Sequence, residues 1–147
     1  NGVEVVFACG GGIYTSAAEA AAKVDGKVIG VDSDQAPIID AYGEGMTVTS
    51  AMKGLAPTVN TLLSAIVLDD TWSDYVGKID NLGLVSDNVE ENYVQLPLES
   101  TQWNDGFTED DYKTLVADML AGKITVDNNI EAMPEVAVTV NDLGNIK

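Results

Sequence analysis

Two apolar, β-rich runs, at 3–9 and 27–31, bracket a triple glycine and an alanine-rich segment. No other feature of the chain restricts its fold as much. Runs that are apolar at consecutive rather than alternate positions suit parallel strands buried on both faces. Gly10, Gly11 and Gly12 supply a loop whose backbone can approach a ligand closely. Thr15 or Ser16 is placed to cap a helix over 17–24, and Gly26 suits the turn that ends it. Strand, glycine loop, helix and strand form a βαβ unit, which requires parallel pairing and a right-handed crossover. The expected fold class is therefore α/β, with a parallel sheet.

The rest of the chain extends this pattern. Residues 37–42 read as one helical turn and 46–50 as a third strand, with Lys53 just beyond it. A helix is expected over 55–68, because Leu55, Val59, Leu62, Leu63 and Ile66 fall on one stripe. The stretch 73–107 is rich in turns, with short strand candidates at 82–85 and 93–96. Thr108 is placed to cap a further helix, with Glu109, Asp110 and Asp111 at its positive end and Gly122 at its stop. Residues 123–126 read as another strand, and the alternation over 136–140 as an edge or tail strand.

Charge narrows the chemistry. The 147 residues hold 24 acids, seven lysines, no arginine and no histidine, for a net charge of -17. Such a surface repels phosphate backbones and anionic lipid, so nucleic acid is not an expected partner. Without histidine there is no Ser-His-Asp triad, no Cys-His dyad and no histidine zinc site. No cofactor and no metal site is expected. The single cysteine, Cys9, has no internal disulfide partner, and its place after an apolar run predicts a buried thiol. No signal peptide and no membrane-spanning apolar run are present. An opening directly on a strand predicts that the 147 residues are a piece of a longer chain.

Three strand ends gather the groups that can meet a ligand. Gly11 and Gly12 follow the first strand, Asp32 and Asp34 the second, and Lys53 the third. Open α/β sheets bind ligands at that edge. The dinucleotide fingerprint fails, because Thr15 stands where its third glycine belongs. Receiver-domain phosphate chemistry also fails, because no separate strand remains for a phosphoacceptor. The carboxylates can accept from a pair of sugar hydroxyls, or serve as helix-cap and turn residues. Lys53 can pair with Asp32 or Asp34, or donate to a hydroxyl.

The stretches Val5-Val-Phe-Ala-Cys-Gly-Gly11, Val28-Ile-Gly-Val-Asp-Ser-Asp-Gln35 and Val48-Thr-Ser-Ala-Met-Lys53 together resemble the basic membrane lipoprotein family. These are substrate-binding proteins of ABC importers and include purine nucleoside receptors. The segment Ala121-Gly-Lys-Ile-Thr-Val126 is similar to the strand that closes such proteins. Many members have G-G-T-G-x-G-V where this chain has Gly10-Gly-Gly-Ile-Tyr-Thr-Ser16.

The resemblance covers nearly all of the chain but only the C-terminal half of a family member. It implies a three-layer lobe of a type I periplasmic-binding-protein fold, with helices on both sheet faces. It further implies an extracytoplasmic, membrane-anchored lipoprotein that binds a nucleoside without catalysis and delivers it to an ABC transporter permease. Asp32 and Lys53 would contact the ribose, with Asp34 as a second acid and Gly11 and Gly12 at the 5′ end. Segments that would pack on a first lobe, 53–72 and the tail, would then leave an apolar patch open to self-association. The alternatives are a stand-alone small-molecule-binding or regulatory domain, and a hydrolase using Asp32 and Asp34 as acid and base.

Overall fold

The computed structural model describes residues 2–127 and 129–144. Its centre is a four-stranded sheet in the order β1-β2-β3-β4: β1 at Val5–Phe7, β2 at Lys27–Asp32, β3 at Thr47–Lys53 and β4 at Val94–Gln95. The first three strands run parallel, and β4 joins β3 antiparallel. The protein is thus α/β with a mostly parallel sheet, as the βαβ pattern requires.

Helix α1, Tyr14–Ala22, crosses from β1 to β2, and the single turn α2, Ala36–Ile39, from β2 to β3. They share one core, in which Ala18, Ala21, Ile39, Val28 and Met46 are buried together. The small alanines let α1 lie close to the sheet. Val28 and Ile39 have no accessible surface, and burying each stabilises the fold by roughly 1.5–3 kcal/mol. Helix α1 starts earlier than expected and has no side-chain cap. The Thr15 hydroxyl instead donates back to the Gly12 carbonyl at 3.1 Å. At the other end the left-handed residue is Asp25, with φ 56°, rather than Gly26.

The sheet departs from expectation at its outer strand. Val5, Val6 and Phe7 are all exposed, whereas two-sided burial was expected. Among the described residues β1 is an edge strand, and its side chains stay open to solvent. Strand β3 is longer than expected and carries an irregularity where Val28 pairs with Thr47 but Ile29 with Thr49. The extra residue, Val48, gives its carbonyl to the Gln102 N–H at 2.8 Å, so no ladder group is wasted there.

A second core forms around helix α4, Glu109–Leu120. Tyr112 and Val116 pack on Val89, with Leu84, Leu96, Leu98 and Trp103 at the margin. The Tyr112 hydroxyl accepts from the Leu96 N–H at 3.1 Å, and burial pushes its pKa up. Thr108 caps the helix as the sequence predicts. Its hydroxyl accepts from the Asp111 N–H, while the Asp111 carboxylate accepts from the Thr108 N–H at 2.9 Å.

Between the cores, Asn92 orders the loop that delivers β4. It is fully buried. Its side-chain oxygen accepts from the Val85 and Ser86 N–H groups, and its amide donates to the Ser86 and Asn88 carbonyls. These bonds, and not the expected strand at 82–85, satisfy that backbone. The strand expected at 93–96 shortens to β4.

Helix α3, Leu55–Val67, carries no charged residue. Leu55, Val59, Leu63 and Ile66 of its stripe are exposed, and Ala65 is its buried residue. No described helix is long and apolar enough to cross a membrane. The strands expected at 123–126 and 136–140 do not form. Alternation permits a strand, but a strand also needs a neighbour to take its hydrogen bonds, and these segments lie exposed without one among the described residues.

Asn92→Ala should lower unfolding free energy by about 2–4 kcal/mol in urea titrations, because buried backbone groups lose their partners. Asp111 is held below the usual carboxylate range by the Thr108 N–H and then the Thr108 hydroxyl. Its contribution is complete above the unfolded pKa of about 3.9 and disappears as pH falls through the lower folded value. Asp111→Ala should therefore be less stable than the parent at neutral pH, with the gap closing in strong acid. Urea midpoints across an acid series test this.

Candidate functional site

The C-terminal ends of β1, β2 and β3 lie side by side, because adjacent parallel strands end on one edge. On that edge the Lys53 ammonium meets the Asp32 carboxylate at 2.9 Å. Asp32 pairs in register with Met52, which sets Lys53 one residue further along the neighbouring strand. The lysine side chain is 69% exposed and the aspartate 39%. A pair this open to water contributes little to stability. The bond to Asp32 and then its charge hold the Lys53 pKa above its ordinary value, with a smaller contribution from the nearby Cys9 sulfur. Cys9 itself is exposed, which corrects the expectation of a buried thiol: it lies two residues beyond the uncovered strand β1.

Asp32 has an unusual backbone. Its φ is 69°, and the Ser33 N–H bonds to the Val31 carbonyl at 2.8 Å. Together these define a tight three-residue turn with positive φ at its centre, a rare and strained form. Aspartate tolerates the left-handed region better than most residues, yet strain of this kind persists only where the surroundings impose it.

Gln35 imposes it. Far from meeting solvent at the strand end, Gln35 is buried. Its side-chain oxygen accepts from the Val31 N–H at 3.0 Å, and its backbone N–H donates to the Ser50 hydroxyl of β3 at 3.1 Å. Its amide reaches the Gly11 carbonyl at 3.4 Å. One residue thus ties the end of β2 to β3 and to the glycine loop. It fits only because Gly30 has no side chain: a Cβ there would lie 2.7 Å from the Ser50 hydroxyl and 2.9 Å from the Gln35 side chain. A glycine inside a strand is the sequence signal for such an approach.

The remaining expected residues divide. Gly11 and Gly12 are exposed in a short helical turn over Gly11–Ile13, with nothing within 4 Å of a Cβ placed on either. Their backbone is therefore accessible. Asp34 stands apart from the Asp32–Lys53 pair in its bonding. One of its oxygens accepts from the Ala36 N–H at 3.0 Å and the other from the Ser100 hydroxyl at 2.9 Å. It ties the loop before α2 to the 97–102 segment, the turn-forming role that acids often take. Gln35, Ser50 and Ser100 were not among the residues singled out from sequence.

Comparison with models of known protein families and with curated proteins returned no match to this chain.

Gly30→Ala should lower unfolding free energy by about 1–3 kcal/mol through overpacking, whereas Gly12→Ala should stay within about 0.5 kcal/mol. Urea titration of both variants tests whether the Gln35 brace is as tight as the geometry indicates.

Proposed function

We propose that this edge binds the ribose of a nucleoside, and that the chain is part of an extracytoplasmic substrate-binding lipoprotein serving an ABC importer. The observation that carries the reading is the strained, braced turn that presents the Asp32 carboxylate, already paired with Lys53, beside an open glycine backbone. A carboxylate is a strong acceptor for neighbouring hydroxyls, and the 2.9 Å pair with Lys53 orients it. Gly11 and Gly12 offer backbone groups to the far end of the sugar. Asp34 takes a supporting part, keeping the loop in place through Ser100.

The same reading assigns the sheet to one three-layer lobe of a two-lobed protein, with the exposed stripe of α3 facing the other lobe. It assigns delivery of the nucleoside to a permease. The alternative of a hydrolase needs two free carboxylates of different character, and the bonding of both Asp34 oxygens favours binding over that chemistry.

With one lobe the ligand keeps a face in water, so affinity should be low. In amide NMR titrations of this chain, purine nucleosides should shift Gly11, Gly12, Ser33 and Lys53. Dideoxynucleosides, which lack the ribose diol, should not. Asp32→Ala should remove about 2–4 kcal/mol of binding, the scale of two non-additive hydrogen bonds to a charged group. Equal shifts from ribo- and dideoxynucleosides, or shifts that survive Asp32→Ala, overturn the assignment.

A further inference from the structure

A second pocket lies away from this edge, between α3 and the segment that follows it. It encloses about 260 Å³ and is lined by Trp72, Tyr75, Lys78, Asp80, Thr58 and Thr61, among others. Lys53, Asp32 and the glycine loop take no part in its lining. That volume falls just below the usual range of ligand pockets, about 300 to 1,000 Å³, so it suits no more than a single ring.

Its floor is aromatic and fixed. Trp72 and Tyr75 are stacked, with centroids 6.5 Å apart and planes 16° from parallel. They lie on a short helical turn, Trp72–Asp74, that is closed by the Tyr75 N–H on the Trp72 carbonyl at 3.0 Å. The turn is tied to α3 by the Thr71 N–H on the Ala65 carbonyl at 2.9 Å. On the wall, the Thr61 and Tyr93 hydroxyls share a hydrogen bond of 2.9 Å. The Lys78 ammonium stands 6.0 Å from the Tyr75 ring centre.

The lining's charged groups select the class of ligand. Lys78 supplies one positive charge and Asp80 one negative, so the pocket has no net charge in a chain of -17. A cation would meet Lys78, and an anion would meet Asp80 and the field of the whole chain. What remains is a neutral ring with one apolar face for the exposed Trp72, which Tyr75 backs, and a rim of hydroxyls. Asp80 can accept from those hydroxyls, Lys78 can donate to them, and Thr58, whose hydroxyl donates to the Gly54 carbonyl at 2.8 Å, can accept. We infer that this pocket is a second binding site, for a neutral pyranose sugar that stacks on Trp72 and is oriented by Asp80 and Lys78.

Saturation-transfer NMR on the 147-residue chain tests this with glucose, galactose, mannose and N-acetylglucosamine as probes, and with choline and gluconate as charged controls. At least one pyranose should receive saturation through its C–H face and titrate to a plateau. Trp72→Ala and Asp80→Asn should each raise its Kd about tenfold or more, the scale of losing one charge-assisted hydrogen bond or its equivalent. Trp72→Phe, which keeps a ring, should recover most of the affinity. Far-ultraviolet circular dichroism and the emission of Trp103, packed 5.7 Å from Tyr112 in the other core, report that the variants fold. Asp80→Asn, a surface change, carries the test if Trp72→Ala does not fold. No plateau with any of the four sugars, binding of choline or gluconate at equal strength, or a Kd unmoved by the folded variants overturns the inference. Because Asp32 and Lys53 are not involved, the outcome is independent of the nucleoside assignment.

Discussion

Gln35 fills the space that Gly30 leaves open, and three separate parts of the chain depend on that contact. The end of β2, the Ser50 hydroxyl of β3 and the glycine loop all bond to one residue. The reach of this brace explains why the edge of a small sheet can hold a strained turn at Asp32. A buried amide with its bonds made resists displacement, because each broken bond would leave an unpaired group out of reach of water. The geometry of the Asp32–Lys53 pair is therefore set from beneath, while the pair itself stays wet and exchangeable. Rigid support under an open charged surface is what a site needs in order to meet a ligand without first rearranging.

The two cores divide the labour. The α1–α2 core is built from small and branched residues and brings its helices close to the sheet. The α4 core is aromatic and carries the loops beyond β3. Asn92 and Gly54 join them: the Gly54 N–H bonds to the Tyr93 carbonyl at 2.8 Å, and a side chain at Gly54 would collide with the Asn92 carbonyl. With no side chain at Gly54, the segment leading into β4 lies close against the end of β3.

Local signals in the sequence carried far, and non-local ones did not. The Thr108–Asp111 cap involves residues three apart, and it forms as written. The βαβ unit was legible in the order of its apolar runs. Gln35 was not singled out, because its partners Ser50 and Gly11 lie 15 and 24 residues away, and only the fold brings them to it. Asp34 was ambiguous for the same reason: Ser100, 66 residues on, occupies one of its oxygens. The alternating segments after α4 had the right pattern for strands but find no neighbour to pair with among the described residues. Strand β1 had the composition of an interior strand without the layers that would make it one.

Helix α3 has a consequence for the protein as a colloid. Thirteen residues without a charge form an exposed apolar strip on a particle whose charge of -17 repels like charge. The repulsion is long-ranged only in dilute electrolyte: its reach shrinks from about 30 Å at 0.01 M salt to about 3 Å at 1 M. Contact between apolar strips has no such dependence, and excluded salts such as sulfate strengthen it. Raising ionic strength therefore screens the repulsion between charged surfaces while leaving the apolar exposure of α3 unchanged.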